Sequence, residues 1–370
     1  MAGLLELIEE AERQLTICNA CRYCEGYCAV FPAAERRPAF TLGDVVQLAN
    51  LCHDCRACYQ ACMFAPPHEF AVDVPALMGQ VRLAAYRRYA WPGGLGVLLD
   101  RPGITAALAG LAGTLLALGA VAWTRGLGGL VRPHPGPGAF YQLIAYELLL
   151  AGFLALAALA VLVLAVGGWR FWRELGGLPR PLRLRAWARA LVDVLQLRYL
   201  SGGGGGCYHP DPLHPSSARR ILHQLLLGGF ALAFAATLAA AVEQDLLGRL
   251  PPYPLLSAPV LLGTAGGVAM VSGAGGLLQL GRQASPAAGA RARALDIAFL
   301  WLSLVVGLSG LALLGLRATP LMGPLLVLHL GAVVSVFVTA PYGKLVHGLY
   351  RTLALVRERM DAWEVQVPGG

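Results

Sequence analysis

Six long apolar stretches, all of them after residue 100, constrain the fold of this chain more than any other feature. A helix of ~20 apolar residues is needed to cross a hydrocarbon core ~30 Å thick, and each stretch reaches that length. Only 14% of the residues are charged, against about 25% in an ordinary soluble protein. We therefore predict an all-α fold with a six-helix transmembrane bundle, whose spans are Gly103–Trp123, Phe140–Gly168, Ile221–Val242, Leu255–Leu280, Leu295–Leu316 and Leu321–Tyr342.

The distribution of arginines predicts the orientation of these spans. The loop over residues 169–220 contains nine arginines, whereas the loops on the opposite side hold four in all. By the positive-inside rule, this loop and both termini are cytoplasmic in a bacterial inner membrane. The net charge of +8 is then mainly a topology signal. Because the basic residues flank spans rather than line a groove, we expect a lipid bilayer and no nucleic acid as a partner.

The residues before the first span differ from the rest of the chain. They contain eight of the nine cysteines and show no secretory signal, so we expect reduced thiols that bind metal. A short amphipathic helix is predicted at the start, where Leu4, Leu7, Ile8 and Leu15 recur at helical spacing. The predicted organisation is a cytoplasmic iron–sulfur domain, a transmembrane domain and a cytoplasmic tail, over residues 1–95, 103–347 and 348–370.

The cysteines form two copies of one pattern. "CNACRYCEGYC" (Cys18–Cys28) and "CHDCRACYQAC" (Cys52–Cys62) both read C-x2-C-x2-C-x3-C, and a proline follows each four residues later. Zinc sites use separated pairs of ligands, whereas this run is typical of bacterial [4Fe–4S] proteins. The repeat predicts two [4Fe–4S] clusters, with zinc as the alternative. "LGDVVQLANL" between the runs has helical spacing, so we predict a helical ferredoxin-like head (residues 1–95).

In two-cluster proteins of this pattern, the fourth cysteine of each run ligates the other cluster. We therefore assign Cys18, Cys21, Cys24 and Cys62 to the first cluster, and Cys52, Cys55, Cys58 and Cys28 to the second. The ninth cysteine, Cys207, follows the glycine run of residues 202–206, and we interpret it as a bystander beside a flexible connection.

Three histidines lie in or at the ends of predicted spans: His223, His329 and His347. A histidine in a membrane helix is a functional candidate, and imidazole is a common axial ligand of haem iron. His223 and His347 lie at the same membrane side, so we predict that they ligate one haem b and that the six-helix bundle is of cytochrome b type. His329 is 18 residues from His347, or ~27 Å along a helix, and is the candidate ligand of a second haem. The alternative is that these histidines are structural and no haem is bound.

Other charged residues have weaker assignments. Arg219 and Arg220, with Arg351, are candidate contacts for haem propionates. Glu147, inside the second span, is either a proton donor to a quinone or an interfacial carboxylate.

The two cysteine runs, "APPHEF" (Ala65–Phe70), "RYLSGGGGGC" and "APYGKLVHGLYR" (Ala340–Arg351) make the chain resemble the tricarballylate utilization protein B family over nearly its whole length. The resemblance implies an iron–sulfur and haem b membrane protein that takes electrons from a flavoprotein oxidising tricarballylate to aconitate and delivers them to quinone. It includes the eight cysteines, His68 and the three membrane histidines. Where the family carries histidines near the end of the third span, this chain has Glu243 and Gln244, which weakens the prediction of a second haem.

We accordingly predict an electron-transfer subunit, without substrate chemistry of its own, that links a cytoplasmic flavoprotein dehydrogenase to the quinone pool. A basic cytoplasmic surface is expected to serve for docking. One alternative is the corresponding subunit of a heterodisulfide- or glycerol-phosphate-type oxidoreductase. Another is a transporter or membrane redox sensor, which would favour broken, polar helices around a midplane site.

Overall fold

A computed structural model describes residues 2–177, 184–200, 207–208, 211, 213–283 and 290–366, with the backbone alone described for residues 2, 290–291 and 363–366. Every element of the described residues is helical apart from one isolated bridge between Cys207 and Ser216. The predicted all-α fold is thereby confirmed. Arg180, Arg183 and the glycine run 202–206 lie outside the described residues.

The head contains five helices, and the cysteines lie at their ends. The repeated cysteine pattern sits on either side of α3, whose bounds coincide with the predicted helix. Thr41 and Asp44 form a capping box at its start: the Thr41 hydroxyl accepts from the Asp44 backbone N–H, and the Asp44 carboxylate accepts from that of Thr41. The helices are α1 (Ala2–Cys21), α2 (Val30–Glu35), α3 (Leu42–Leu51), α4 (Ala57–Gln60) and α5 (Val74–Tyr89).

Six helices are long and apolar enough to cross a membrane. The second begins later than predicted because Ala139–Gln142 forms a separate 3-10 turn. The third continues into a single π-helical turn, Val242–Leu246. The six helices are α6 (Pro102–Thr124), α7 (Tyr146–Glu174), α9 (Ala218–Ala241), α10 (Ala258–Gln283), α11 (Ala290–Leu316) and α12 (Met322–Thr339), and the short helix α8 (Leu184–Leu195) lies between α7 and α9.

The C-terminal segment, predicted as a tail from residue 348, is a helix that packs against the head. It is α13 (Val346–Gln366), which follows α12 after a short turn. Tyr350 is fully buried and stacks on Phe171, with ring centroids 4.7 Å apart. Further along, Glu358 pairs with Arg36 at 2.5 Å. The head, α7 and α13 therefore share one hydrophobic core.

Glycines allow α9 and α10 to approach closely. A Cβ atom added at Gly273 would lie 2.6 Å from the backbone nitrogen of Leu226 and 2.7 Å from the carbonyl oxygen of Leu222. Neither backbone atom can move without displacing α9. Small residues at such positions permit the close packing that stabilises helix pairs in membranes.

We expect Gly273→Val to destabilise the bundle by about 1–3 kcal/mol or more, because the added side chain must push α9 away. Gly275→Val on the same helix is the matched control, since a Cβ atom there meets nothing within 4 Å. Thermal unfolding of the detergent-purified variants measures the difference. Equal midpoints for the two variants would contradict the packing described here.

Candidate metal centres

The four thiols assigned to the first cluster line one small cavity of the head. Cys18 and Cys21 lie on the last turn of α1, Cys24 lies in the turn that follows, and Cys62 lies just beyond α4. Cys21 is exposed, whereas Cys18 and Cys24 are partly covered. This cavity is therefore close to the outer surface of the head.

The second set comes from both runs as well. Cys52 ends α3, Cys55 and Cys58 follow it in the loop and in α4, and Cys28 precedes α2. Cys52 and Cys55 are buried. Burial raises the pKa values of Cys28 and Cys58. Electrostatic interactions with neighbouring thiols, chiefly those of the same set, raise these pKa values further. Cys28 of the first run thus lies beside the second set, in line with the crossed assignment, which stays a prediction.

The two runs have the same local backbone at one position. Arg22 and Arg56, each directly after the second cysteine of its run, both adopt a left-handed conformation, with φ of 58° and 61°. Non-glycine residues rarely adopt this region. The repeated pattern thus produces the same sharp turn twice, which directs the second and third thiols of each run toward one space.

Burial determines the protonation of the free thiols. It raises the pKa of Cys18 to about 12 and those of Cys24 and Cys55 to about 11. Cys18, Cys24 and Cys55 are thus protonated at neutral pH when unligated, and thiolate ligation requires the positive charge of a metal. No three His, Cys, Asp or Glu side chains of the described residues lie close enough to share one ion. A [4Fe–4S] cluster, held by four thiolates, does not need its ligands to meet at one ion.

A cavity of about 280 Å³ separates the head from the bundle, and it contains both predicted haem ligands. The rings of His223 and His347 lie side by side, with centroids 6.1 Å apart and ring planes at 78° to each other. Nδ1 of His347 lies 2.5 Å from the carbonyl oxygen of Lys344, to which it donates in one tautomer. That tautomer leaves Nε2 free for a metal. Nδ1 of His223 is buried and has no hydrogen-bond partner in the described part of the chain. This pair fits a haem iron with two axial imidazoles.

The rest of the cavity wall has an apolar side and a polar side. Apolar side chains from α10 and α11, such as Leu277 and Phe299, cover one side. The other side is polar and strongly cationic. Besides the histidine pair, its titratable members are His53, Asp54, Arg82, Tyr86, Arg219, Arg282, Arg293, Asp296, Lys344 and Arg351.

His329 lies in a different environment. Its Nδ1 is 2.9 Å from the hydroxyl oxygen of Ser309, and a Cβ atom at Gly310 would lie 3.1 Å from its ring. The ring therefore packs directly against α11. Glu243, at the outer end of α9, instead pairs with Arg249. This packing does not support a second haem.

The structure separates the other predicted residues. Arg219 and Arg351 line the cavity, whereas Nε of Arg220 donates to the carbonyl oxygen of Gln196 and Arg220 is not part of the lining. Glu147 is exposed in the first turn of α7. The ring of His68 packs between those of Phe64 and Phe70 in the head.

Cys207 is not remote from the metal centres, although the sequence led us to interpret it as a bystander. It is buried, and its thiol lies 3.7 Å from the carbonyl oxygen of Cys55. The backbone N–H of Tyr208 donates to the same carbonyl oxygen at 2.9 Å. This segment therefore covers the loop that carries the second set.

Sequence reasoning missed several residues of the cavity. His53 lies between Cys52 and Asp54, is buried, and has a pKa well below its usual value because of burial and the nearby cations. Its position inside the second run was the one available signal. Arg82 lies on an ordinary head helix, and Asp296 pairs with Lys344 at 2.5 Å near the start of α11. No motif marks either of these residues.

Comparisons with known proteins cover nearly the whole chain. Residues 11–88 match the family model for the "Citrate utilization protein B Fer4-like domain", and residues 99–366 match that for "Citrate utilization protein B". Citrate utilization protein B of Escherichia coli is 43% identical over 356 residues, which is 96% of this chain and 92% of that protein. No solved structure matches.

We expect Cys62→Ala to remove the cluster held by Cys18, Cys21 and Cys24, although Cys62 belongs to the other run. Cluster iron should fall from about eight to about four atoms per chain, because each cluster holds four. Cys207→Ala is the matched control and should retain both clusters. Iron and acid-labile sulfide assays with electron paramagnetic resonance (EPR) spectra measure the outcome. Loss of the other cluster in Cys62→Ala would contradict the crossed assignment.

Proposed function

The chain belongs to the citrate utilization protein B family, and from this membership and its metal centres we propose that it transfers electrons from a reduced flavoprotein dehydrogenase to the quinone pool. Two [4Fe–4S] clusters and one haem b, when bound, supply the one-electron chemistry. The observation that supports this most directly is a polar wall between the histidine pair and the second cysteine set. Arg351 lines the cavity that holds the histidine pair, and it also donates to the carbonyl oxygen of Cys52.

Two protein names indicate the substrate class of the partner dehydrogenase. The resemblance noted from the sequence implies tricarballylate, and the relative is named for citrate utilization. Both are tricarboxylates. We propose that the partner removes two electrons and two protons from tricarballylate, giving aconitate. Two electrons and two protons then convert one quinone to one quinol, so the overall reaction balances.

Electrons enter at the first cysteine set. Cys21 is exposed, and the neighbouring side chains of Tyr23 and Met63 are 61% and 66% exposed. Exposed aromatic and methionine side chains are common at protein interfaces. This face gives a partner flavin its shortest approach to a cluster.

The charge of this part of the head differs from our expectation of a basic docking surface. Residues 1–73 carry ten acidic and five basic side chains, and thus a net charge of −5. Glu25 and Glu69 are exposed within this segment. The basic residues are concentrated at the ends of the spans instead. The partner is therefore expected to present a basic surface, which would speed association at low ionic strength.

The chain's own residues keep the inner part of the path dry and in place. Cys52 and Cys55 are buried, and the Cys207–Ser216 bridge covers their loop. On the bundle side, the Lys344 carbonyl group fixes the ring of His347. By the positive-inside rule, we propose that the head and this end of the bundle are cytoplasmic.

Optical spectra of the detergent-purified chain, oxidised and then reduced with dithionite, test the proposal. We expect sharp reduced haem b bands together with about eight cluster irons and eight sulfides. Reduced tricarballylate dehydrogenase should then reduce the chain, and a quinone analogue should oxidise it. Bound zinc in place of iron would overturn the proposal.

The histidine pair gives a second expected outcome. His347→Ala should abolish the haem b bands because one axial ligand is lost, while the cluster iron remains. His329→Ala is the matched control and should retain the bands, since its ring packs against α11. Haem content per chain, measured from the reduced spectrum, decides the result. Equal haem loss in the two variants would contradict the assignment.

A further inference from the structure

Two arginines donate hydrogen bonds to one carbonyl group of the second cysteine set. Nη1 of Arg82, on α5, lies 2.5 Å from the carbonyl oxygen of Cys52 and 3.1 Å from that of Ala49. Nη2 of Arg351, on α13, lies 2.8 Å from the same Cys52 oxygen, and its Nε lies 3.1 Å from that of Asn50. One guanidinium belongs to the head, and the other to the helix that continues from the last span.

A third arginine completes the arrangement. Arg219, on the first turn of α9, donates from Nη1 to the carbonyl oxygen of Asp54 at 2.7 Å. Each of the three arginines comes from a different helix: Arg82 from α5, Arg219 from α9 and Arg351 from α13. Together Arg82, Arg219 and Arg351 hold the backbone of residues 49–54, and we call them the arginine clamp.

Among the described residues, the clamp arginines make no direct ion pair with the nearest acids, Asp54 and Asp296. Asp54 lies 3.6 Å from Arg56, and Asp296 pairs with Lys344. In the described part of the chain, no carboxylate lies within ion-pair distance of the three clamp arginines. Buried cations without counter-ions are costly. A cluster held by four thiolates is an anion, and it would supply the missing negative charge.

Burial alone would give the second cluster the lower reduction potential. Adding an electron increases the negative charge of a cluster, and water stabilises that charge better than a protein interior does. Cys21 of the first set is exposed, whereas Cys52 and Cys55 of the second set are buried. Without further charges, an electron would thus remain on the outer cluster.

The clamp acts on the second set and opposes this effect. The three guanidinium groups donate to carbonyl oxygens of the loop that carries Cys52 and Cys55, and Nη1 of Arg219 also lies 3.8 Å from the neighbouring Cys207 thiol. At the first set, Arg22 follows Cys21 but pairs with Glu35 at 2.8 Å. The groups that favour negative charge are therefore concentrated at the inner set.

We propose that the arginine clamp raises the reduction potential of the second cluster above that of the first, and so directs electrons inward. This inference rests on the proposed function. With both clusters bound, one electron would pass from the first, which is oxidised, to the second, which is reduced and gains one negative charge. The same hydrogen bonds fix the second set against α9 and α13, which carry His223 and His347. Arg82, Arg219 and Arg351 are thus positioning and tuning residues.

The test is a redox titration of the purified full chain, followed by EPR for the clusters and by absorbance for the haem. In Arg219→Gln and Arg351→Gln, we expect the second cluster's affinity for an electron to fall at least about tenfold, or about 59 mV for a one-electron couple. The first cluster, identified by its altered signal in Cys21→Ser, should keep its potential. Arg351→Lys retains the charge but not both hydrogen bonds, and should shift the second cluster's potential less than Arg351→Gln does.

Arg87→Gln is the matched control, because Arg87 lies on the same helix as Arg82 and pairs with Asp100 instead. It should leave both potentials unchanged. Unchanged potentials in Arg219→Gln with both clusters present, or equal shifts of both clusters, would overturn the inference alone. If Arg351→Gln does not fold, Arg219→Gln alone tests the inference, because it removes only one hydrogen bond to the loop of residues 49–54. Absence of clusters in the wild-type chain would overturn the proposed function and this inference together.

Discussion

The carbonyl group of Cys52 is the point at which the head and the bundle are joined. It lies at the buried end of α3 and accepts from Arg82 and Arg351, which come from the head and from α13. A buried carbonyl group without a partner is destabilising, and here two guanidinium groups from different parts of the chain satisfy it. The position of the second cysteine set relative to the histidine pair depends on this contact.

The last helix allows that contact to form. A segment that ended at the membrane surface would leave the head attached by a single connection to α6. Instead α13 continues the chain into the core of the head, where Tyr350 stacks on Phe171 and Glu358 pairs with Arg36. The result is one body rather than two domains on a linker. A fixed separation between the cysteine sets and the histidines follows from this shared core.

Much of this arrangement could be predicted from the sequence, because it depends on local spacing. The spans, the helix from Leu42 to Leu51 and the eight cysteines follow from periodicity or from a fixed motif. The clamp could not be predicted, since Arg351 and Cys52 are 299 residues apart and no local pattern relates them. The same holds for Cys207, which follows a glycine run in the sequence and lies far along the chain from the other eight cysteines. The net negative charge of the first 73 residues could have been counted from the sequence. The net charge of +8 over the whole chain favoured the prediction of a basic docking surface instead.

We propose that electrons stored in the head reach a quinone through the bundle of the same chain. The most direct measurement is to reduce the chain fully with dithionite, remove the excess, and mix it anaerobically with a soluble quinone analogue while recording absorbance and EPR spectra. We predict that clusters and haem are oxidised together and that one quinol forms for every two electrons lost. Oxidation of the haem alone, with both clusters still reduced, would contradict the account.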